Sequence, residues 1–247
     1  MEHPTGDAVA CRESTPSRLS NPRWRPVTEG RPVLLPLIAL GLTAVLLFPP
    51  AVPLVLLVAC ATALTFRDPE RAVVRRPDVA LAPADGRVIH VDRVWDVYWQ
   101  AELVEVGIFL ALWDVHVQRS PLDGEVVARH RRAGDYRPAM SRAATHGNNQ
   151  LATYLHTAAG PCVVTQISGL LARRIVSWVP PRTRLAQGER LGMIRFGSQV
   201  TLRLPATATV LVHVGNHVRA GLTPVAELAE TGAPAPERPR DETLALP

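Results

Sequence analysis

From Pro32 to Phe66 the chain carries no charged side chain over 35 positions, and Leu, Val, Ala and Pro dominate. Pro49-Pro50, with Pro53 just beyond, divide this run into halves at 33–48 and 51–66, each of 16 residues. A membrane span takes ~20 residues, and at ~1.5 Å per residue each half reaches about 24 Å, short of a ~30 Å hydrocarbon core. The pattern therefore predicts a tight helical hairpin that sits shallowly or thins the bilayer. A buried helix pair in a soluble protein and a single bent span are the alternatives. Arg23, Arg25 and Arg31 flank one side; Arg67, Arg71, Arg75 and Arg76 flank the other. Positive charge on both flanks places both ends on the cytoplasmic side of a cell membrane. Residues 1–31 are polar, with no apolar period, and read as a disordered tail. They do not form a secretory signal, because the apolar stretch starts too late and is followed by Arg-rich sequence.

After Arg76 the texture changes. Short β-branched runs such as GRVIHV, VEVGIFLA, GEVVARH, CVVTQI and QVTLRL alternate with Gly, Pro and Asp. This spacing predicts a mostly β domain over 67–229, with one short helix in 138–146. From 230 the Pro/Ala/Glu-rich sequence predicts a disordered tail to 247. An internal echo is present. Pro83-Ala-Asp-Gly-Arg-Val88 resembles Pro121-Leu-Asp-Gly-Glu-Val126, and 184–192 resembles 216–224. A Pro-x-Asp-Gly-x-Val turn with a later Gly-bearing turn resembles the barrel-sandwich fold of biotinyl and lipoyl carriers. Asp-Gly would supply a positive-φ turn between strands. The expected fold class is mainly β, a barrel-sandwich-like domain behind an N-terminal hydrophobic helical hairpin.

All 27 basic side chains are arginine. Without lysine the chain cannot anchor pyridoxal phosphate, carry biotin or lipoate, or complete a Walker A motif. Cysteines at 11, 60 and 162 have no paired spacing, which argues against disulfides and thiolate metal sites. His213 and His217 are four apart, but Val214-Gly215 between them predicts a turn, so no metal site is expected. The net charge of +5 suits an anionic partner. Scattered arginines and few aromatics favour an anionic phospholipid bilayer over nucleic acid.

The segment Gly192-Met-Ile-Arg-Phe-Gly-Ser-Gln199 holds the sharpest candidate chemistry. A plain strand turn would explain Gly197-Ser198. Alternatively, Ser198 Oγ attacks the Gly197 carbonyl, and elimination from the resulting ester leaves a new N-terminus that becomes a pyruvoyl group. Such a step needs a base. Trp113-Asp-Val-His-Val-Gln-Arg-Ser-Pro121 offers His116 in an alternating, strand-like context, where Asp114, His116 and Gln118 would share a face. Asp85 and Asp123 could orient an imidazole or simply form turns.

FRDPER (66–71), PADG (83–86), DVHVQRSP (114–121), VVTQISGLLARRIV (163–176) and GERLGMIRFGS (188–198) occur in this order. Together they resemble the short, single-hairpin type of phosphatidylserine decarboxylase proenzyme over about 65–228. The resemblance implies autocleavage between Gly197 and Ser198, giving a large chain 1–197 and a small chain 198–247 with a pyruvoyl cofactor formed from Ser198. It implies Asp85 as the charge-relay aspartate and His116 as the motif histidine. Phosphatidylserine would be converted to phosphatidylethanolamine and CO2 at the membrane surface. Arg173, Arg174 and Arg119 are candidate substrate contacts. Longer relatives carry a second histidine where this chain has Arg119, so His116 serves both cleavage and decarboxylation, or Arg119 or a water takes one task. The family pattern Phe-Gly-Ser-Arg reads Gln199 here, and an Asn-Glu-Arg segment reads Asn148-Asn149-Gln150. Both departures remove charge. An uncleaved, inactive membrane-anchored scaffold and a pyruvoyl decarboxylase of another amino-acid head group are the rival readings, and a homodimer stays open.

Overall fold

The computed structural model describes residues 25–170, 174–195 and 198–229. Two antiparallel-sequence helices come first: α1 (Arg25–Leu47), a 3-10 turn at Pro49–Ala51, and α2 (Val52–Thr65). The break falls at the predicted prolines, whose missing N–H groups and fixed φ end a helix. Thr43, Thr62 and Thr65 return their hydroxyls to the carbonyls four residues earlier, which pairs these three groups within their own helices. Leu42, Leu46, Leu47, Leu54 and Leu57 are all exposed. Among the described residues, Glu29–Leu47 is the one helical stretch long and apolar enough to cross a membrane by length and composition.

The first helix starts at Arg25, earlier than the charge-free run suggests, and passes through Pro32 and Pro36. Tertiary contacts account for the extension. A Cβ on Gly30 would lie 3.0 Å from the Phe66 ring, so the helix seats closely there. Glu29 pairs with Arg195 of the β domain. Thr65 Oγ1 donates to Leu112 O at 3.2 Å, and Arg67 Nη2 donates to Trp113 O at 2.7 Å. Both ends of the hairpin are thus moored to one edge of the following domain.

That domain is mainly β. Its strands are β1 (Val79–Leu81), β2 (Gly86–Asp96), β3 (Ala101–Leu110), β4 (Val117–Arg119), β5 (Gly124–Arg132), β6 (Gln150–Thr157), β7 (Gly160–Ile167), β8 (Ile175–Ser177), β9 (Arg184–Leu185), β10 (Arg190–Ile194), β11 (Ser198–Pro205), β12 (Thr209–Val210), β13 (His217–Val218) and β14 (Pro224–Glu227). The predicted short helix is α3 (Arg142–Gly147), capped by Ser141, whose Oγ accepts from Ala143 N. An eight-stranded sheet runs β13-β2-β3-β11-β7-β6-β5-β9, and two three-stranded sheets run β1-β14-β12 and β4-β10-β8. Every strand pair is antiparallel.

One core cluster draws on all three sheets, including Ala82, Val106, Ile108, Leu110, Val164, Ile194, Val200, Leu202 and Val225. Neighbouring positions point the other way, and there Trp99, Leu103, Tyr154 and Val163 form a second, smaller cluster. Covered on both faces, β7 is buried at every position.

The sequence echo is an internal pseudo-two-fold repeat. Arg119 N donates to Pro83 O at 2.8 Å, and Leu81 N donates to Pro121 O at 3.0 Å. Gly221 N reaches Ala82 O and Gly188 N reaches Ser120 O, each at 2.8 Å. Asp85 Oδ1 accepts from Ala220 N at 2.8 Å, while Asp123 Oδ1 accepts from Gln187 N at 2.7 Å. Gly188 and Gly221 adopt φ +80° and +70°. The two Asp-Gly turns differ, however. Gly86 has φ +147°, as the turn chemistry predicts, whereas Gly124 is not among the positive-φ glycines. A Cβ on Gly124 would lie 2.9 Å from His156 O, so close strand approach is what excludes a side chain there.

Candidate active site

Strand β11 occupies the middle of the large sheet, between β3 and β7, and Ser198 is its first residue. Ser198 pairs with Leu110, the last residue of β3. It is fully buried, and its Oγ has no hydrogen-bond partner among the described residues. A buried hydroxyl left unpaired costs about 1–3 kcal/mol. Thr153, Ser168 and Thr201 carry such hydroxyls as well, and Ser198 differs from them in standing at the Gly-Ser junction beside the His116 segment.

The chain leaves β3 at Leu110 and turns at once. Asp114 Oδ2 accepts from Ala111 N at 2.8 Å, and Asp114 N donates to Ala111 O at 3.0 Å. Strand pairing resumes only at Val117, so Asp114 and His116 lie in a turn rather than on the shared strand face that alternation predicts. The turn delivers His116 to a fully buried position. His116 O accepts from Ile194 N at 3.2 Å. The strand leading towards Ser198 therefore runs beside His116, and the strand leaving Ser198 pairs with the residue from which the His116 turn begins.

His116 Nδ1 lies 2.8 Å from Asp114 O. A carbonyl only accepts, so Nδ1 carries the proton and Nε2 is the basic nitrogen of the neutral ring. Burial holds the imidazole below its usual range. The Asp114 carbonyl and the charges of Asp114 and Asp85 oppose that shift, and Arg67 adds to it. The ring is thus a neutral base at neutral pH.

Asp85 belongs to the same electrostatic set but is held by other partners. Arg71 grips both carboxylate oxygens at 2.7 Å, and the two side chains are only 5% and 13% exposed. The sequence presents Arg71 as a hairpin-flanking charge and as part of FRDPER, with no role at Asp85. The signal available there was an arginine near a buried-type Asp-Gly turn, which sequence spacing cannot connect. Two further buried residues join this set: Gln118, which the sequence placed on the His116 face, and Gln166, to which it gave no role. Gln118 Nε2 donates to His116 O at 2.9 Å, and Gln166 Nε2 donates to Gln118 Oε1 at 2.7 Å. A lone glutamine in the apolar run CVVTQI was the available sign of Gln166.

The arginine candidates separate. Arg119 is buried and committed: it donates to Asp68 Oδ1 at 2.8 Å, Gly188 O at 3.0 Å and Pro69 O at 3.2 Å. Arg190 also binds Asp68. Arg174 is exposed and lines a cavity of about 590 Å³. Arg173 and Gly197 lie outside the described residues.

A family model described as phosphatidylserine decarboxylase matches residues 59–226, a range that spans Asp85, His116 and Ser198. The chain belongs to the phosphatidylserine decarboxylase family. Curated relatives agree. A phosphatidylserine decarboxylase proenzyme of Aromatoleum aromaticum is 42% identical over 164 residues, covering 66% of this chain and 76% of that protein. The proenzyme of Nitrosomonas europaea is 42% identical over 163 residues, with the same coverage. That of Burkholderia multivorans is 38% identical over 166 residues, covering 67% and 78%.

Within this phosphatidylserine decarboxylase framework, the two charge-removing departures meet at one residue. Gln199 is buried, and its Nε2 donates to Thr145 Oγ1 at 2.9 Å. Gln150 directs its amide nitrogen to Thr145 O at 3.2 Å and its oxygen to Arg132 Nε at 2.9 Å. Asn148 is buried and bonds Arg137 N and O and Ser168 O. Gln150 and Gln199, neutral where the family pattern carries charge, thus both contact Thr145.

Proposed function

We propose that the chain is a self-processing, pyruvoyl-dependent phosphatidylserine decarboxylase acting at the membrane surface. The observation that carries this is the buried, unpartnered Ser198 hydroxyl at the head of β11, next to the segment that carries a neutral His116. His116 Nε2 takes the Ser198 Oγ proton as Oγ bonds to the Gly197 carbonyl carbon. The Gly197–Ser198 C–N bond breaks, and the chain is joined through an ester. Loss of the Ser198 Cα proton expels the Gly197 carboxylate as the new C-terminus. Water then replaces the amine of the resulting dehydroalanine, releasing ammonia and leaving a ketone. Asp85 acts at a distance, its negative charge favouring the protonated form of His116.

The residues present fit a pyruvoyl group. Among the described residues no donor or acceptor bonds the buried Ser198 Oγ, so conversion of that side chain breaks no bond among them. The pyruvoyl ketone supplies an electron sink for loss of CO2 from a head group bearing a free amine. His116 is the base and acid available for proton movement there. Cleavage at this point does not free the small chain. Val200, Leu202 and Leu204 are fully buried, and β11 stays hydrogen-bonded to β3 and β7 of the large chain.

The membrane setting rests on the hairpin's mooring. Thr65 and Arg67 bond the carbonyls of Leu112 and Trp113 in the same turn that presents His116, and the Leu112 and Trp113 side chains are exposed. This brings the reacting end of the sheet to the bilayer interface, where the substrate's acyl chains stay buried and its head group is reachable. Arg119, through Asp68, braces the segment that supplies Arg71 to Asp85.

Intact mass and lipid mass spectrometry test the proposal. The purified protein should comprise a large chain ending at Gly197 and a small chain of residues 198–247 blocked by a ketone that borohydride reduces. Ser198→Ala should remain a single 26.9 kDa chain. Membranes fed phosphatidylserine should yield phosphatidylethanolamine. A whole wild-type chain would refute self-processing, and a cleaved protein that makes no phosphatidylethanolamine would refute the substrate.

A further inference from the structure

Across the large sheet from Ser198, the cavity of about 590 Å³ is lined by Arg129, Arg131 and Arg174 over an apolar wall that includes Leu151 and Ile175. Among the described residues no acidic side chain lines it. Most buried or half-buried arginines of this domain are tied to carboxylates: Arg71 to Asp85, Arg119 and Arg190 to Asp68, Arg195 to Glu29, Arg203 to Asp96 and Glu105. Arg129, Arg131 and Arg174 are exposed, and unlike the exposed Arg76, Arg93, Arg137 and Arg142 they have no ion pair among the described residues. Arg131 gives one bond, to Ile175 O at 3.3 Å. Like charges gathered around a concavity focus a positive field that favours an anion there. Planar guanidinium forks match the oxygens of a phosphodiester in particular.

The cavity lies on the hairpin side of the domain. Arg131 pairs with Leu151, Leu151 with Gln166, and Gln166 with Val200, so Arg131 is level with a residue two positions from Ser198. Arg174 O accepts from Arg195 N at 3.2 Å, and Arg195 holds Glu29 at the hairpin's base. Yet three strand spacings of ~4.8 Å separate β5 from β11, about 14 Å in all. The amine and phosphorus of one phosphoserine head group are only a few bonds apart. A lipid whose amine is at Ser198 does not place its own phosphate in this cavity.

We propose that Arg129, Arg131 and Arg174 bind the phosphodiester of a second, non-reacting anionic phospholipid, which holds the domain's large sheet against the bilayer. The inference rests on the reading of the protein as a membrane-surface enzyme. It adds a lipid site separate from the catalytic one.

The test uses the detergent-purified, cleaved protein and monomeric dihexanoylphosphatidylglycerol, which lacks an amine and is not turned over. Calorimetry should show saturable binding of this lipid and much weaker binding of the zwitterionic choline analogue. Replacing Arg129 and Arg131 together by Gln should weaken it by roughly tenfold or more, as expected for losing charge-assisted bonds. Arg93→Gln with Arg184→Gln removes the same charge at the opposite end of the sheet and should leave binding within about twofold, since screening limits distant charges. The KM for monomeric dihexanoylphosphatidylserine should be unchanged in the Arg129/Arg131 variant. Unaltered phosphatidylglycerol binding in that variant would overturn the proposal. So would a KM rise matched by competition between the two lipids, because the cavity would then hold the reacting lipid's own phosphate. Thermal midpoint and extent of cleavage identify any variant that misfolds, and Arg129→Lys with Arg131→Lys, which keeps the charge, should retain measurable binding. Failure of the decarboxylase reading shows separately, as absent turnover in the wild type with phosphatidylglycerol binding intact.

Discussion

Arg71→Met should destabilise the β domain strongly, because it strands a buried charge. Arg71 Nη1 and Nη2 each lie 2.7 Å from an Asp85 oxygen, and neither side chain has much solvent contact. Breaking a buried ion pair from one side costs about 3–5 kcal/mol. Ala220 N still donates to Asp85 Oδ1 at 2.8 Å, so the lower end of that range, about 3 kcal/mol, is expected. A domain of this size loses roughly 2–4 °C per kcal/mol, which gives a drop of about 6–12 °C. The measurement is thermal unfolding in detergent by near-ultraviolet circular dichroism. It is made on the Ser198→Ala background so that cleaved and whole chains do not mix. Arg71→Met with Asp85→Leu should recover part of the loss, since it removes both charges. A midpoint within about 2 °C of the parent, given that slope, would show that Asp85 is not desolvated as described. A double variant no better than the single one would show that the two residues are not coupled.

Three further outcomes follow from the same structure. Because burial holds His116 below its usual range, self-cleavage of cell-free-synthesised chain should keep its full rate as pH falls through 6.5 and decline only below that; an inflection at or above 6.5 would contradict the neutral-base assignment. Glu105 is held below 4.5: burial pushes it up, but the His90 bond and the Arg203 charge outweigh that. Its stabilisation is present above the unfolded-state pKa and lost as pH falls through the folded one, so unfolding free energy should drop below about pH 4.5, and Glu105→Gln should flatten that decline. A Cβ at position 107 would lie 2.0 Å from the His90 ring, so Gly107→Ala must displace His90 from Glu105 and should cost about 1–3 kcal/mol in urea unfolding; an unchanged midpoint would mean that the ring is not packed there.

Local pattern was a good guide where the deciding interaction was local. The charge-free run and its prolines predicted the hairpin, and alternation predicted most strands. The Pro-x-Asp-Gly echo pointed to a repeat that the hydrogen bonds of Ala82, Ser120, Gly188 and Gly221 bear out in detail. The same pattern misplaced the start of α1, because Glu29 and Gly30 are held by Arg195 and Phe66, residues far along the chain. It also put His116 on a strand, because Asp114 can bend the chain back to Ala111 only where β3 has ended.

By itself, then, the sequence determined the elements and singled out Ser198 as the candidate nucleophile, since hydrophobic periodicity, proline and a Gly-Ser at a strand boundary are properties of neighbouring residues. Only the tertiary structure decided what each charged side chain is for. Arg119, Arg71 and Arg131 look alike in a chain without lysine. The first is bound to Asp68, the second to Asp85, and the third faces a cavity without a carboxylate. Desolvation and the distance to an opposite charge set those roles, and both come from strands brought together across long separations in the chain.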